Sequence, residues 1–394
     1  MEAATPEAFT FGIEEEFFLI DRRTRHAAPR VPKLFVKACQ SRLGDSVAFE
    51  LQQTQIEIVS PVFSDSAVAL AEMTRLRAGV AEVAGAMGLG IIAAGTHPLA
   101  QWRRQQHTDK PRYARLIRDF QMIGRRDVVC GMHVHVAVPY GDRVEVMNRM
   151  MPWLPLILAL STSAPFWSLK RTGLMSYRQS AIDEWPRAGI PDFFEDEADY
   201  NAFVAILVRA HAMQDASELW WAIRPSPSYP TLELRIADSC TRVEDSIAIA
   251  LLYRCLVSTH LRSPNLGARR STATRRLIDE NRWRAQRHGL AAEFIDEFGD
   301  GLISVPARLA QALELTKDDA RVLDPHGALC GLDTILARGT SAHGQLAVYE
   351  AARTSQASHV DALRAVVDWL ATTTCPEQLP AAALPPARDT QPAE

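Results

Sequence analysis

Three consecutive carboxylates, Glu14, Glu15 and Glu16, stand inside the apolar run FGIEEEFFLID from Phe11 to Asp21. No other feature of the chain restricts its fold as much. The run reads as a buried strand, and a strand turns alternate side chains to opposite faces. Glu14 and Glu16 therefore share a face with Phe18, while Ile13, Glu15, Phe17 and Leu19 take the other. Neighbouring acids withdrawn from water must protonate, pair with basic groups or bind a cation.

Three further segments alternate in the same way. GMHVHVAV sets Met132, Val134, Val136 and Val138 against His133 and His135. TLELRIAD sets Leu232, Leu234 and Ile236 against Glu233 and Arg235, and QTQIEIV offers Gln55 and Glu57. An antiparallel sheet can leave one face to water, so polar alternation alone says little; the choice of Glu, His and Arg over Lys, Thr and Ser is the informative part. Taken singly, each segment has a plainer reading: two ordinary strand histidines, a solvated acidic face, a cross-strand salt bridge. Taken together they describe a carboxylate-rich face with a histidine, an oxygen-rich donor set that suits Mg²⁺ or Mn²⁺ better than zinc. Mg²⁺ usually shares its coordination with phosphate oxygens, so several acids beside an arginine suggest a bound nucleoside triphosphate. Neither GxxxxGK[ST] nor GxGxxG occurs, so a Walker or Rossmann site is not expected.

With 394 residues, 47% of them hydrophobic, the chain can bury a sizeable core. A formal net charge of -4 with scattered arginines leaves no footprint for nucleic acid and favours a small-molecule partner. The N-terminus carries no secretory signal, and the apolar run near Leu154 to Leu160 is broken by Pro155 and too short to span a bilayer. A cytoplasmic protein without membrane attachment is expected. Six cysteines without a CxxC pair read as reduced, mostly core thiols.

Along the chain, a Ser64-Asp65 start signal precedes helical spacing of Ala69, Met73, Leu76, Val80, Val83 and Met87. A helix is predicted from Asp142 toward Leu160, bent or divided at Pro152 and Pro155. Residues from Ser163 to about Asp199 read as a long ordered loop of the kind that forms lids. A helix to about Met213, another from Val243 to Leu261, and mostly helical structure from Arg269 to Leu370 follow. His97 and His107 read as turn or surface residues and Trp283 as packing. The chain is expected to form a single domain over residues 1–375, with a disordered Pro/Ala-rich tail over 376–394.

The segments FGIEEEFFLID, FELQQTQIEIVSP, AAGTHPLAQW, CGMHVHVAVP, YRQSAIDEWPRAGIP, PSYPTLELRIADSC and ENRWRAQRHGLAA, in this order, resemble the glutamate-cysteine ligase family, specifically its bacterial YbdK-type carboxylate-amine ligases. Each motif alone is weak, but the series is specific. The resemblance implies an α+β, glutamine synthetase-like fold: an antiparallel sheet whose concave face is the active site, backed by helices. It implies ATP and Mg²⁺, or Mn²⁺, as cofactors, a carboxylate such as an amino acid and an amine as substrates, and a homodimer. Glu14, Glu16, Glu50, Glu57, His133 and Glu233 match the family's metal positions, Glu233 and Arg235 its catalytic ones. Arg178, Gln179, Arg187, His135 and Arg235 match positions for substrate or nucleotide. The spacing of Glu50 and Glu57 breaks period two on one straight strand, so a bulge or bend is expected between them. His343-Gly344 stands where the family pattern has an acidic-basic pair ahead of a glutamine. The implied activity is amide formation, with a γ-glutamyl product and weak glutamate-cysteine ligation within its scope. A guanidino-kinase-like phosphotransferase, a metal-dependent hydrolase and an inert metabolite-binding protein are the alternatives.

Overall fold

The acidic strand is the axis of the molecule. In the computed structural model, which describes residues 4–299 and 301–378, β1 (Phe11–Asp21) runs through a seven-stranded sheet. The other strands are β2 (Val47–Phe49), β3 (Gln55–Val59), β4 (Leu89–Ile92), β5 (Met132–Ala137), β6 (Ile223–Pro225) and β7 (Thr231–Leu234). Their order is β6-β7-β5-β1-β3-β2, β4 pairs with β1, and all pairings are antiparallel. β1 is long enough to serve three partners: Phe11 to Glu15 pair with β5, Glu14 to Phe18 with β3, and Phe18 to Asp21 with β4.

Period two holds along β1. Ile13, Glu15, Phe17 and Leu19 face a buried side, the three apolar ones joining the core cluster that also takes in the inner faces of α1 (Ser66–Ala86) and α2 (Val243–Arg262). α1 starts where the sequence predicts, with Asp65 accepting from Val68 N at 2.9 Å, and buries Ala69, Met73, Leu76 and Val80. α2 is buried almost all round, as a helix with apolar residues on every side must be. Glu15 is neutralised here by the protein itself. Arg77 donates to both its oxygens at 2.8 and 2.6 Å, and Ser246 Oγ donates to it at 2.5 Å. The same guanidinium also reaches the carbonyls of Cys240 and Thr241, each at 2.9 Å.

Several expectations change. Residues 163–199 are not one loop: a ladder of Phe166–Trp167 with Lys170–Arg171 and a helix, Tyr177–Ile182, divide them. Asp238 organises that segment, accepting from Ser163 N at 2.9 Å and Ser176 Oγ at 2.8 Å. A hairpin, Glu293–Asp296 with Gly301–Ser304, interrupts the helices after Arg269. Trp283, expected to pack, is 48% exposed, whereas His97 is fully buried in its turn, with Nδ1 accepting from Leu99 N at 3.0 Å. His343 caps the helix Ser341–Thr354 through Thr340, and a Cβ at Gly344 would lie 2.5 Å from the Trp369 ring, so the departure from the family pattern serves helix packing. Cys330 is exposed and the other five cysteines are buried thiols.

The expected tail begins too early. Pro376–Gln378 form a last helical turn, and Gln378 lies against the outer edge of β4. Ile91 N donates to Gln378 Oε1 at 2.8 Å, and Gln378 Nε2 donates back to Ile91 O at 2.8 Å. Two residues on, Ala93 N donates to Thr374 Oγ1 at 3.0 Å. The rest of the expected tail, 379–394, lies outside the described residues. No helix among the described residues is long and apolar enough to cross a membrane.

Candidate active site

The face of β1 opposite Glu15 floors a cleft of ≈ 500 Å³. Residues directly opposed in an antiparallel ladder share a face, so register alone assembles the floor. Glu16 lies opposite Glu57, Glu14 opposite His133, and Glu233 opposite both His135 and Arg224. Of the bulge or bend expected between Glu50 and Glu57, the structure has the bend, a reversal of the chain between β2 and β3. β2 and β3 form a hairpin with Phe49 opposite Ile56 and Ala48 opposite Glu57, and Glu50, next along, comes out on Glu57's side and lines the cleft.

Donor atoms of Glu14, His133 and Glu233 lie within 4.8 Å of one another, as do those of Glu16, Glu57 and His133. His133 Nδ1 is 3.1 Å from Glu14 Oε2, and His135 Nε2 is 3.4 Å from Glu14 Oε1. Burial works against the Glu14 carboxylate, but its contacts with these two histidines hold it well below the usual range. Burial likewise opposes ionisation of Glu233, and Arg235 and Arg224 overcome it, keeping Glu233 ionised. Arg224 grips it with two bonds, at 2.8 and 3.1 Å, and Arg235 Nη1 donates to the same carboxylate.

Glu50 and Glu57 have no such partner. Burial, reinforced by Glu16, pushes Glu50 up to about 8. Burial together with Glu50, Glu14 and Glu16 raises Glu57 well above the carboxylate range. These groups are hard oxygen donors, mutually repulsive and converging on two overlapping positions, and the donor set fits one or more divalent cations of the Mg²⁺ type.

Arg178 and Gln179 line the cleft from the helix Tyr177–Ile182. Arg178 donates to the carbonyls of Ile236 and Arg235, both at 3.2 Å, and Gln179 Nε2 to Ile236 O at 2.8 Å, which joins this helix to the end of β7. A Cβ on Gly131 would stand 2.2 Å from Arg178 Nη2, so the guanidinium occupies space that only glycine leaves. Gly131 N meanwhile donates to Glu16 Oε2 at 2.6 Å. Arg187, expected to touch substrate, does not line the cleft. It donates to Glu218 O at 3.3 Å and lies over the Trp220 ring at 5.4 Å, supporting the wall from behind.

Sequence reasoning missed Asp127, Arg224, Trp185 and Trp220, which also line the cleft. For Arg224 a signal existed: IRPSPSYPTLEL is a Pro-rich hairpin, and its register sets Arg224 against Glu233. Asp127 and the tryptophans lie outside periodic segments and are gathered by tertiary packing alone.

The comparisons agree with this architecture. A crystal structure of glutamate–cysteine ligase from Francisella tularensis in complex with AMP superimposes with a TM-score of 0.67 at 14% identity, covering 95% of this chain and 90% of that one. A bifunctional glutathione synthetase from Pasteurella multocida gives 0.65 at 13% identity, over 93% of this chain and 53% of that one. The fold is thus the glutamine synthetase-like one. Within that class, the description "Glutamate-cysteine ligase family 2 (GCS2)" matches residues 10–368. A curated relative from Ectopseudomonas mendocina, named "Putative glutamate--cysteine ligase 2", is 44% identical over 362 residues, 92% of this chain and 96% of its own length. The chain belongs to glutamate-cysteine ligase family 2, a family of carboxylate-amine ligases.

Proposed function

We propose that the protein is an ATP-dependent carboxylate-amine ligase that forms an amide, a γ-glutamyl one when glutamate supplies the acid, through an acyl phosphate. The observation that carries this reading is the convergence of Glu14, Glu16, Glu57, His133 and Glu233 on two overlapping positions beside Arg235. A carboxylate does not acylate an amine at neutral pH because its oxygen is a poor leaving group; phosphorylation by ATP converts that oxygen into a good one. The amine then attacks the carbonyl, forming the C–N bond as the C–O bond to phosphate breaks, and amide, ADP and phosphate result.

The metal-holding residues in this reading are Glu14, Glu16, Glu50, Glu57, His133 and Glu233. Bound there, Mg²⁺ supplies charge neutralisation for phosphate oxygens. Arg235 remains cationic against its burial because Glu233 balances it, and its fork suits a phosphoryl group. Arg178 and Gln179 tie the segment 163–191 down at the cleft, where it excludes water from a hydrolysable intermediate. Residues 1–375 act as one catalytic domain and the enzyme as a homodimer. An enzyme drawing on ATP and amino acids works in the cytoplasm, which is the location we propose.

The test is ADP release by purified protein with Mg²⁺ and ATP, amino acids being offered singly and in pairs and the products weighed by mass spectrometry. ADP formed only with an acid and an amine together, and a product lighter than their sum by one water, supports the ligase. A phosphorylated single substrate moves the protein to the guanidino-kinase-like reading, and no ADP from any pool overturns the ligase.

A further inference from the structure

One corner of the cleft is walled differently from its acidic floor. Tyr113, Leu116, Ile182, Trp185 and Trp220 line it, and Asp127 stands among them. The Trp185 and Trp220 rings are 4.6 Å apart, and Phe120 packs against both, at 5.0 and 5.4 Å. Tyr113 Oη is already engaged, donating to Phe49 O at 2.8 Å, and the Trp185 side chain stands near enough to Asp127 to favour its ionised form. What Tyr113 and Trp185 offer the cleft is therefore ring surface. Of the two arginines whose charge reaches Asp127, Arg178 donates to two backbone carbonyls through Nη1 and Nη2, and Arg235 Nη1 donates to Glu233. A sheltered carboxylate beside aromatic faces matches an ammonium group carrying an apolar substituent, because the carboxylate bonds the charge and the rings attract both parts.

We infer that this corner is the amine subsite, Asp127 holding the ammonium and Trp185, Trp220 and Tyr113 its substituent, so that the second substrate is a primary amine bearing an aromatic or branched aliphatic group. The inference rests on the ligase reading and narrows its substrate.

It is tested by titrating the protein, loaded with Mg²⁺ and a non-hydrolysable ATP analogue, with phenethylamine, ethanolamine and 2-phenylethanol, following heat and tryptophan fluorescence. Phenethylamine binds at least about tenfold tighter than either comparison compound. Asp127→Asn loses about tenfold for phenethylamine and nothing for 2-phenylethanol, and Trp220→Ala, or Trp220→Leu if the first misfolds, narrows the gap between the two amines. Melting curves establish that each variant is folded. Equal affinity for the two amines, or no binding of phenethylamine, overturns the assignment. So does a Trp220 variant that weakens only the ATP analogue, which would give the wall to the adenine base. The ligase reading fails separately: a protein that binds phenethylamine as described yet releases no ADP with any acid keeps the subsite and loses the ligation.

Discussion

The three adjacent glutamates of β1 meet three different ends, and each predicts its own mutant. Glu15 is a structural ion, fully buried against Arg77. Glu15→Gln strands that guanidinium and destabilises the fold by about 3–5 kcal/mol, which chemical denaturation will read. Glu14 is held ionised by two histidines, while Glu16 faces Glu57 across the ladder in a crowd of like charge. For Glu57 the direction reverses. Glu57→Gln removes an acid whose ionisation burial and its acidic neighbours oppose, so the metal-free protein melts higher than wild type while turnover falls by roughly 100-fold or more, the equivalent of about 3 kcal/mol in the barrier. A Glu57→Gln variant that melts lower and keeps its turnover would identify a structural acid instead. Gly131 predicts a purely steric effect: Gly131→Ala drives a methyl into the Arg178 guanidinium and lowers kcat, with little change in ATP affinity.

At the scale of elements, the polar faces of β1, β3, β5 and β7 were legible because period two is strict in each and the choice of residues is chemical. β6 was not, because Pro225 and the Pro-Ser turn behind it argue against a strand, and an edge position is where such a proline is tolerated. With β6 went Arg224, which keeps Glu233 ionised from the neighbouring strand. Arg224→Met leaves Glu233 with Arg235 and, more weakly, His135; the carboxyl then titrates at a higher pH, and the pH profile of kcat/KM moves its acidic limb upward. An unmoved limb would mean that Arg235 suffices. The segment 163–199 looked like a loop because its ladder strands are two residues long, too short for any periodicity, and because its organiser, Asp238, is distant in sequence.

Over the whole molecule, half-buried acids without a basic partner make stability depend on pH and metal. Glu50 near 8 and Asp127 near 7, raised chiefly by burial, hold protons more tightly in the folded than in the unfolded chain. Their contribution is present at low pH and lost as pH rises from about 5 to about 8. Glu14 and Glu233, held low, act oppositely, and theirs is lost only as pH falls below the usual carboxylate range. The metal-free protein therefore melts lower at pH 8 than at pH 6, and Mg²⁺, competing with those protons, raises the melting temperature more at pH 8. An Mg²⁺ effect independent of pH would separate the cation from these acids. The outer edge of β4 carries a consequence of another kind. Gln378 and Thr374 stand where a further strand would run, satisfying the groups that a second polypeptide could otherwise recruit. Truncation before Gln378, or Gln378→Ala, turns a capped border into a template, and light scattering will detect it as growth into species larger than the wild type's that increases with concentration.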